Sequence, residues 1–129
     1  MTLDEIKSQV MYQTNNDRDD LPDFEPHLTD YINEGYDILL VNYAEQHVSS
    51  DSEQYPPLSQ SADEPKLPEH AHRALADYAT YLVYRNGNSV KQNRGMAYYS
   101  AFLEVMSRLV FERGGMTAES RQFRNIFSR

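Results

Sequence analysis

Residues 68–115 read as two long helices joined by a tight Asn86-Gly87-Asn88 turn, and both are apolar around most of their circumference. In the first, only Arg73, Asp77 and Thr80 make a clearly polar stripe, against Ala71, Ala74, Leu75, Ala76, Tyr78, Ala79, Leu82 and Val83. A helix apolar nearly all round is a buried helix. The second repeats the pattern, with Ser100, Glu104, Ser107 and Arg108 as a strip between faces carrying Ala97, Tyr98, Phe102, Val105, Met106 and Leu109. A chain of 129 residues is one domain, with little room for a fully enclosed central layer. The pattern therefore predicts that the second face of each helix is covered by copies of the chain or by a companion.

The rest of the chain also reads as helical. Thr2 and Glu5 form a capping box ahead of Leu3, Ile6 and Val10 on one face, predicting a short helix that ends near Thr14. Residues 15–25 are polar and acidic without periodicity and predict a loop. Pro26 suits the first turn of a second helix running to about His47, which buries Leu28, Ile32, Leu39 and Tyr43 and is mildly weakened by Gly35. Residues 48–66 hold Ser, Asp, Glu, Gln and three prolines, a composition that cannot repay ordering entropy by burial, and predict a long acidic loop or flexible arm. Pro68 and Glu69 open the third helix, Gly87 offers a left-handed cap at its end, and Asn88 or Ser89 caps the fourth. The two pack antiparallel. Gly114-Gly115 is read as the end of the fourth helix, leaving 116–129 as an extended C-terminal tail beyond a helical domain of residues 1–115. The fold class is thus all-α, a small bundle of about four helices built on a long antiparallel hairpin.

Charge and composition narrow the function classes. The net charge is −8, yet four arginines (Arg113, Arg121, Arg124, Arg129) face only Glu119 after Glu112, so this end carries +3 and the remainder −11. Such a body repels nucleic acid, while the tail seeks anions. Cysteine is absent, which excludes disulfides, thiolate metal sites and a cysteine nucleophile. The acidic N-terminus and the lack of a run of about twenty apolar residues predict a soluble intracellular chain with no membrane partner.

Candidate sites are few. His70 and His72 are two apart, so on a helix they diverge and do not chelate one ion. Asn15, Asp17 and Asp19 imitate a calcium loop, but Asp20 stands where the turn needs glycine and Pro26 where the bidentate glutamate belongs, which leaves a solvated acidic turn. No nucleophile elbow, phosphate loop or triad-like grouping appears, so no enzyme, cofactor or metal is expected. Asp30, Glu34 and Asp37 form an acidic stripe, either a wet helix face or a like-charged wall along which DNA passes without sticking. Ten tyrosines and no tryptophan shift attention to contact surfaces: Tyr78, Tyr81, Tyr84, Tyr98 and Tyr99 are candidates either for the core or for an intersubunit contact. In the tail, Arg121, Phe123, Arg124, Phe127 and Arg129 combine aromatic anchors with cations, the make-up of a segment that docks on a partner.

Leu67-Pro68-Glu69, Ala74-Leu75, Tyr78-Ala79, Leu82-Val83-Tyr84-Arg85, Lys91-Gln92 and Tyr98-Tyr99-Ser100-Ala101-Phe102 together resemble the helical core of the head–tail connector (adaptor, head-completion) proteins of tailed bacteriophages. The likeness spans mainly residues 67–109. It implies an all-helical structural subunit without catalytic residues, assembled as a homo-oligomeric ring, commonly of twelve copies, below the portal in the virion neck, after assembly in the host cytoplasm. It further implies that residues 116–129 meet the portal protein, that 48–66 face the next connector or tail protein, and that DNA passes through without specific binding. Two other classes compete: a small acidic regulatory module of antitoxin or anti-repressor type that binds a basic partner, and a nucleic-acid binder using the arginine tail. The latter has a small cationic footprint against a strongly acidic body.

Overall fold

The computed structural model describes residues 1–44 and 55–118, with side chains placed for 1–43 and 55–109. The fold is all-helical: α1 (Leu3–Thr14), α2 (Leu28–Ala44), α3 (Glu69–Arg85) and α4 (Ser89–Ala118), with 3-10 turns at Asn15–Asp20 and Glu25–His27. The capping box of α1 forms as expected, Thr2 Oγ1 accepting from the Glu5 N–H (3.2 Å) and the Glu5 carboxylate accepting from the Thr2 N–H (2.8 Å). Asn88 caps α4, its Oδ1 accepting from the Lys91 N–H at 3.0 Å.

The third helix is the axis of the molecule, packed by α1, α2 and α4. Its Ala71, Ala74, Leu75, Ala76, Tyr78, Ala79, Leu82, Val83 and Tyr84 are all buried. α1 contributes Leu3, Ile6 and Val10; α2 contributes Leu28, Ile32, Tyr36 and Leu39; α4 contributes Phe102 and Leu109. The expectation that the second face of α3 needs another subunit is therefore corrected. That face is covered by the chain's own first two helices, whose apolar stripes are legible in sequence but whose convergence on one common neighbour is not. Even Thr80, read as part of a polar stripe, is fully buried, and its hydroxyl donates to Gln13 Oε1.

Contacts fix the helix directions. Met1 meets His72 and Gln13 meets Asp77, so α1 runs parallel to α3. Tyr31 meets Asn86, Glu34 meets Tyr78, and Asn42 meets Met106, so α2 runs antiparallel to α3 and alongside α4 in the same direction. Close approach is bought with two glycines: a Cβ on Gly35 would stand 3.1 Å from the Tyr78 ring, and one on Gly95 only 2.8 Å from Tyr84 Cβ. Gly35, which costs α2 some helix propensity, is what lets it close on α3.

Three further expectations change. Gly87 does not adopt the left-handed conformation; Asn86 ends α3 at φ −85°, ψ 1°, and the glycine makes room for Lys91, whose Cβ would lie 2.7 Å from an added methyl. The fourth helix does not stop at Gly114-Gly115 but continues to Ala118, since glycine weakens a helix by about 1 kcal/mol without blocking its hydrogen bonds. Finally, the described part of the 48–66 loop is fastened to the bundle. Leu58 is buried, and its backbone pairs with the Asn33 amide in both directions (2.9 and 2.8 Å). Asp63 and Ser61 carbonyls accept from the Leu3 and Asp4 N–H groups, satisfying donors that the first turn of α1 leaves open. The Asp63 carboxylate in turn accepts from the Ser59 and Gln60 N–H groups, which hold it below its ordinary pKa. Residues 48–54 and the tail after Ala118, with Arg121, Phe123, Arg124, Phe127 and Arg129, lie outside the described residues.

Gly95→Ala is expected to lower the unfolding free energy by about 1–3 kcal/mol through overpacking against Tyr84, although the same change in an exposed helix stabilises. Val90→Ser, at a side chain 57% exposed, is expected to stay within about 0.5 kcal/mol of the parent in urea denaturation followed by circular dichroism.

Candidate interaction surface

Alternation of faces on α3 divides the tyrosines into two groups. On one side Tyr84 reaches the 3-10 turn: its hydroxyl donates to Asp17 Oδ2 at 2.6 Å, and its ring stacks with Tyr98 at 6.1 Å. Asp17 also accepts from Lys91 Nζ at 2.7 Å and from Arg94. The aspartate is thus not the solvated acid of the sequence reading but a buried one with three donors. Lys91, Tyr84 and Arg94 together hold its carboxyl far below the usual range, while burial and Asp17 push the Tyr84 hydroxyl up. This cluster ties residues 15–20 to the α3–α4 hairpin. Its sequence signal was Lys91, which sits in register with Gly95, Tyr98 and Phe102 on the inward line of α4 and so needed a buried partner.

On the other side, Tyr78, Tyr81 and Tyr99 lie along the seam between α2 and α4. The Tyr78 ring packs 4.7 Å from Phe102, and its hydroxyl donates to Glu34 at 2.6 Å, burial and the carboxylate together raising its pKa. Tyr81 stacks on Tyr99 at 4.5 Å with the Arg85 guanidinium 5.7 Å from its ring centre. Tyr78 and Tyr84 are buried inside the protomer and offer no surface to another subunit, which removes them from the intersubunit candidates. Tyr81, Tyr98 and Tyr99 are half-buried.

Beyond Tyr99 the seam stays apolar. Met96 (48% exposed), Tyr99, Leu103 and Met106 recur at helical spacing on α4, and Tyr31, Ile38 and the 65%-exposed Val41 line the α2 side. Asp30, Glu34 and Asp37 stand exposed on the stripe of α2 that ends at Val41. Of the acidic stripe, Glu34 is tied to the seam through Tyr78, while Asp37 stands beside Tyr36 on the side of α2 that residues 58–66 cover. An exposed apolar strip of this kind is suited to contact with another protein surface.

At the opposite end of α3, Glu64, Glu69 and His72 bring their ligand atoms within 4.8 Å of one another. The Met1 ammonium sits among them, 2.8 Å from His72 Nδ1, 3.2 Å from Glu69 and 3.7 Å from Glu64, and draws the Glu69 carboxyl below its usual value. His72 pairs with this group and with the Leu67 carbonyl (2.9 Å), whereas His70 is exposed and belongs to another face. Among the described residues no helix is long and apolar enough to cross a membrane. Comparison of the chain with protein families, with curated proteins and with solved structures finds no match.

An aspartate depressed by its folded-state partners adds stability above its unfolded pKa of 3.8 and loses it as pH falls below that value. Asp17→Asn should therefore destabilise at pH 7 more than Asp19→Asn does, and the gap between parent and Asp17→Asn should close as pH is lowered through 4 and below. Thermal melts across that range measure it; a gap independent of pH would show that the carboxylate charge is not what holds the cluster.

Proposed function

We propose that the chain is a structural assembly protein, the subunit of a phage head–tail connector ring that joins the DNA-filled head to the tail. The observation that carries this reading is the apolar strip of Met96, Tyr99, Leu103, Met106 and Val41, left on a bundle that otherwise completes its own core. In a ring each copy turns such a strip toward the next, a heterologous contact that closes on itself. Part of the hairpin that resembles the connector family, Lys91-Gln92 and residues 98–102, lies on α4, which carries most of this surface, and the acidic body suits a passage that DNA traverses without adhering. The portal protein and the next connector or tail protein would meet the two faces of the ring, in the virion neck.

One observation favours a second reading. Because the chain covers α3 by itself, it is able to work as a monomer, as an acidic regulatory module that binds a basic partner would.

The two part on assembly. Co-expressed with the portal protein of the same genome, the chain is expected to co-purify as a ring seated on the portal in negative-stain images. A chain that stays monomeric or dimeric beside assembled portal contradicts the connector reading and leaves the regulatory one.

A further inference from the structure

The cluster at the start of α3 gathers donor atoms from three stretches of the chain. Glu69 and His72 belong to the first turns of α3, Glu64 follows the residues whose carbonyls satisfy the start of α1, and Met1 precedes α1 itself. We propose that Glu64, Glu69 and His72 bind a divalent first-row transition-metal ion of the zinc type, with the Met1 nitrogen as a fourth donor. His70 and His72 diverge, as their spacing dictates, but Glu69 and His72 are three apart on α3 and meet on one side of it.

The orientation of His72 carries the proposal furthest. Its side chain is 4% exposed, and its Nε2 lies 2.9 Å from the Leu67 carbonyl oxygen, an acceptor that only a ring N–H can meet. Nδ1 therefore keeps its lone pair and aims it into the cluster. Histidines that ligate metals are held in this way, one ring N–H donated to a backbone carbonyl so that the tautomer and the ring plane are fixed for the other nitrogen. A buried acceptor needs an electropositive partner, and here the Met1 ammonium supplies it at 2.8 Å. The position between the imidazole and the two carboxylates is thus one that a positive charge already takes.

Spacing and charge agree with a small dication. Ligands about 2.0–2.2 Å from one tetrahedral zinc stand roughly 3.3–3.6 Å from each other. In the cluster the Met1 nitrogen is 2.8 Å from His72 Nδ1, 3.2 Å from Glu69 and 3.7 Å from Glu64, and Nδ1 is 3.9 Å from Glu69. An ion among them asks the two nitrogens to part by about half an ångström, while the carboxylates, 58% and 78% exposed, turn freely to meet it. Two nitrogens with two carboxylate oxygens are a set that zinc, copper and nickel accept, whereas calcium and magnesium take oxygen donors. Two carboxylates against one ammonium leave these groups with an excess negative charge, which a dication on a neutral amine cancels. Binding exchanges the ammonium proton for the ion and releases it to solvent. The bound ion would tie the chain ahead of α1, the segment before α3 and α3 itself at one point, so it stabilises the folded state by mass action.

The untagged full-length chain, freed of metal with a chelator, is titrated with Zn²⁺ by calorimetry in two buffers of different ionisation enthalpy, and with Co²⁺ by visible absorption. Saturable binding of one Zn²⁺ per chain is expected, with about one proton released and a Tm that rises with zinc concentration. Glu64→Gln with Glu69→Gln, at exposed side chains outside the core, should weaken binding by at least the roughly tenfold that loss of a group supporting a metal ligand already causes. His72→Ala, its helicity checked by circular dichroism, should lose the Co²⁺ absorption band, and His70→Ala should bind as the parent does. Absence of saturable binding overturns the proposal. So does an affinity that the Glu64→Gln, Glu69→Gln pair leaves unchanged, or one that falls with His70→Ala instead, since the ion then sits elsewhere on the chain.

Discussion

Everything in this fold is arranged around the burial of one helix. α3 is apolar on nearly every side, and the only way to hide such a helix is to surround it; α1, α2 and α4 do so from within a single chain. The consequence is a division of labour. Narrow stripes such as Leu3, Ile6 and Val10 need only one apolar face because they each cover a third of a common axis. α4, the longest element, covers its share with Gly95, Phe102 and Leu109 and has apolar side chains to spare on the flank beside α2.

Polar groups then set the register that hydrophobic burial alone leaves free. Asp17 fastens the turn after α1 to the hairpin through Tyr84, Lys91 and Arg94, while Asn33 and Tyr36 fasten the chain before α3 through Leu58 and Lys66. Each of these groups is short of partners in its own segment and finds them far along the chain. A buried ion pair adds little net stability against an apolar substitute, but removing one member leaves the other stranded, which makes such pairs effective at enforcing a single arrangement.

How far this could be read from sequence follows from the range of the interactions. Helix identity, the capping box of α1, the Asn88 cap and the antiparallel hairpin depend on neighbours within a few residues, and they were legible. Which faces meet was not. Tyr78 and Tyr99 look alike in a helical pattern, yet one is enclosed because Gly35 lets α2 close over it and the other lies at the seam. Composition misjudged residues 58–66, since a few well-placed contacts, one buried leucine and several backbone hydrogen bonds, were enough to fix a stretch rich in Ser, Asp and Pro. The acidic stripe was visible in the spacing of Asp30, Glu34 and Asp37; that Glu34 accepts from the buried Tyr78 hydroxyl required the packing.

The central claim is that one protomer completes the burial of α3 by itself. Amide hydrogen exchange of the isolated chain at two concentrations well apart tests this most directly. The account predicts that the amides of Leu75, Ala79 and Leu82 exchange at the slowest, globally limited rate and that the rate is independent of concentration. Protection of those amides that fades on dilution would show that α3 needs a second molecule to cover it, contrary to the arrangement described.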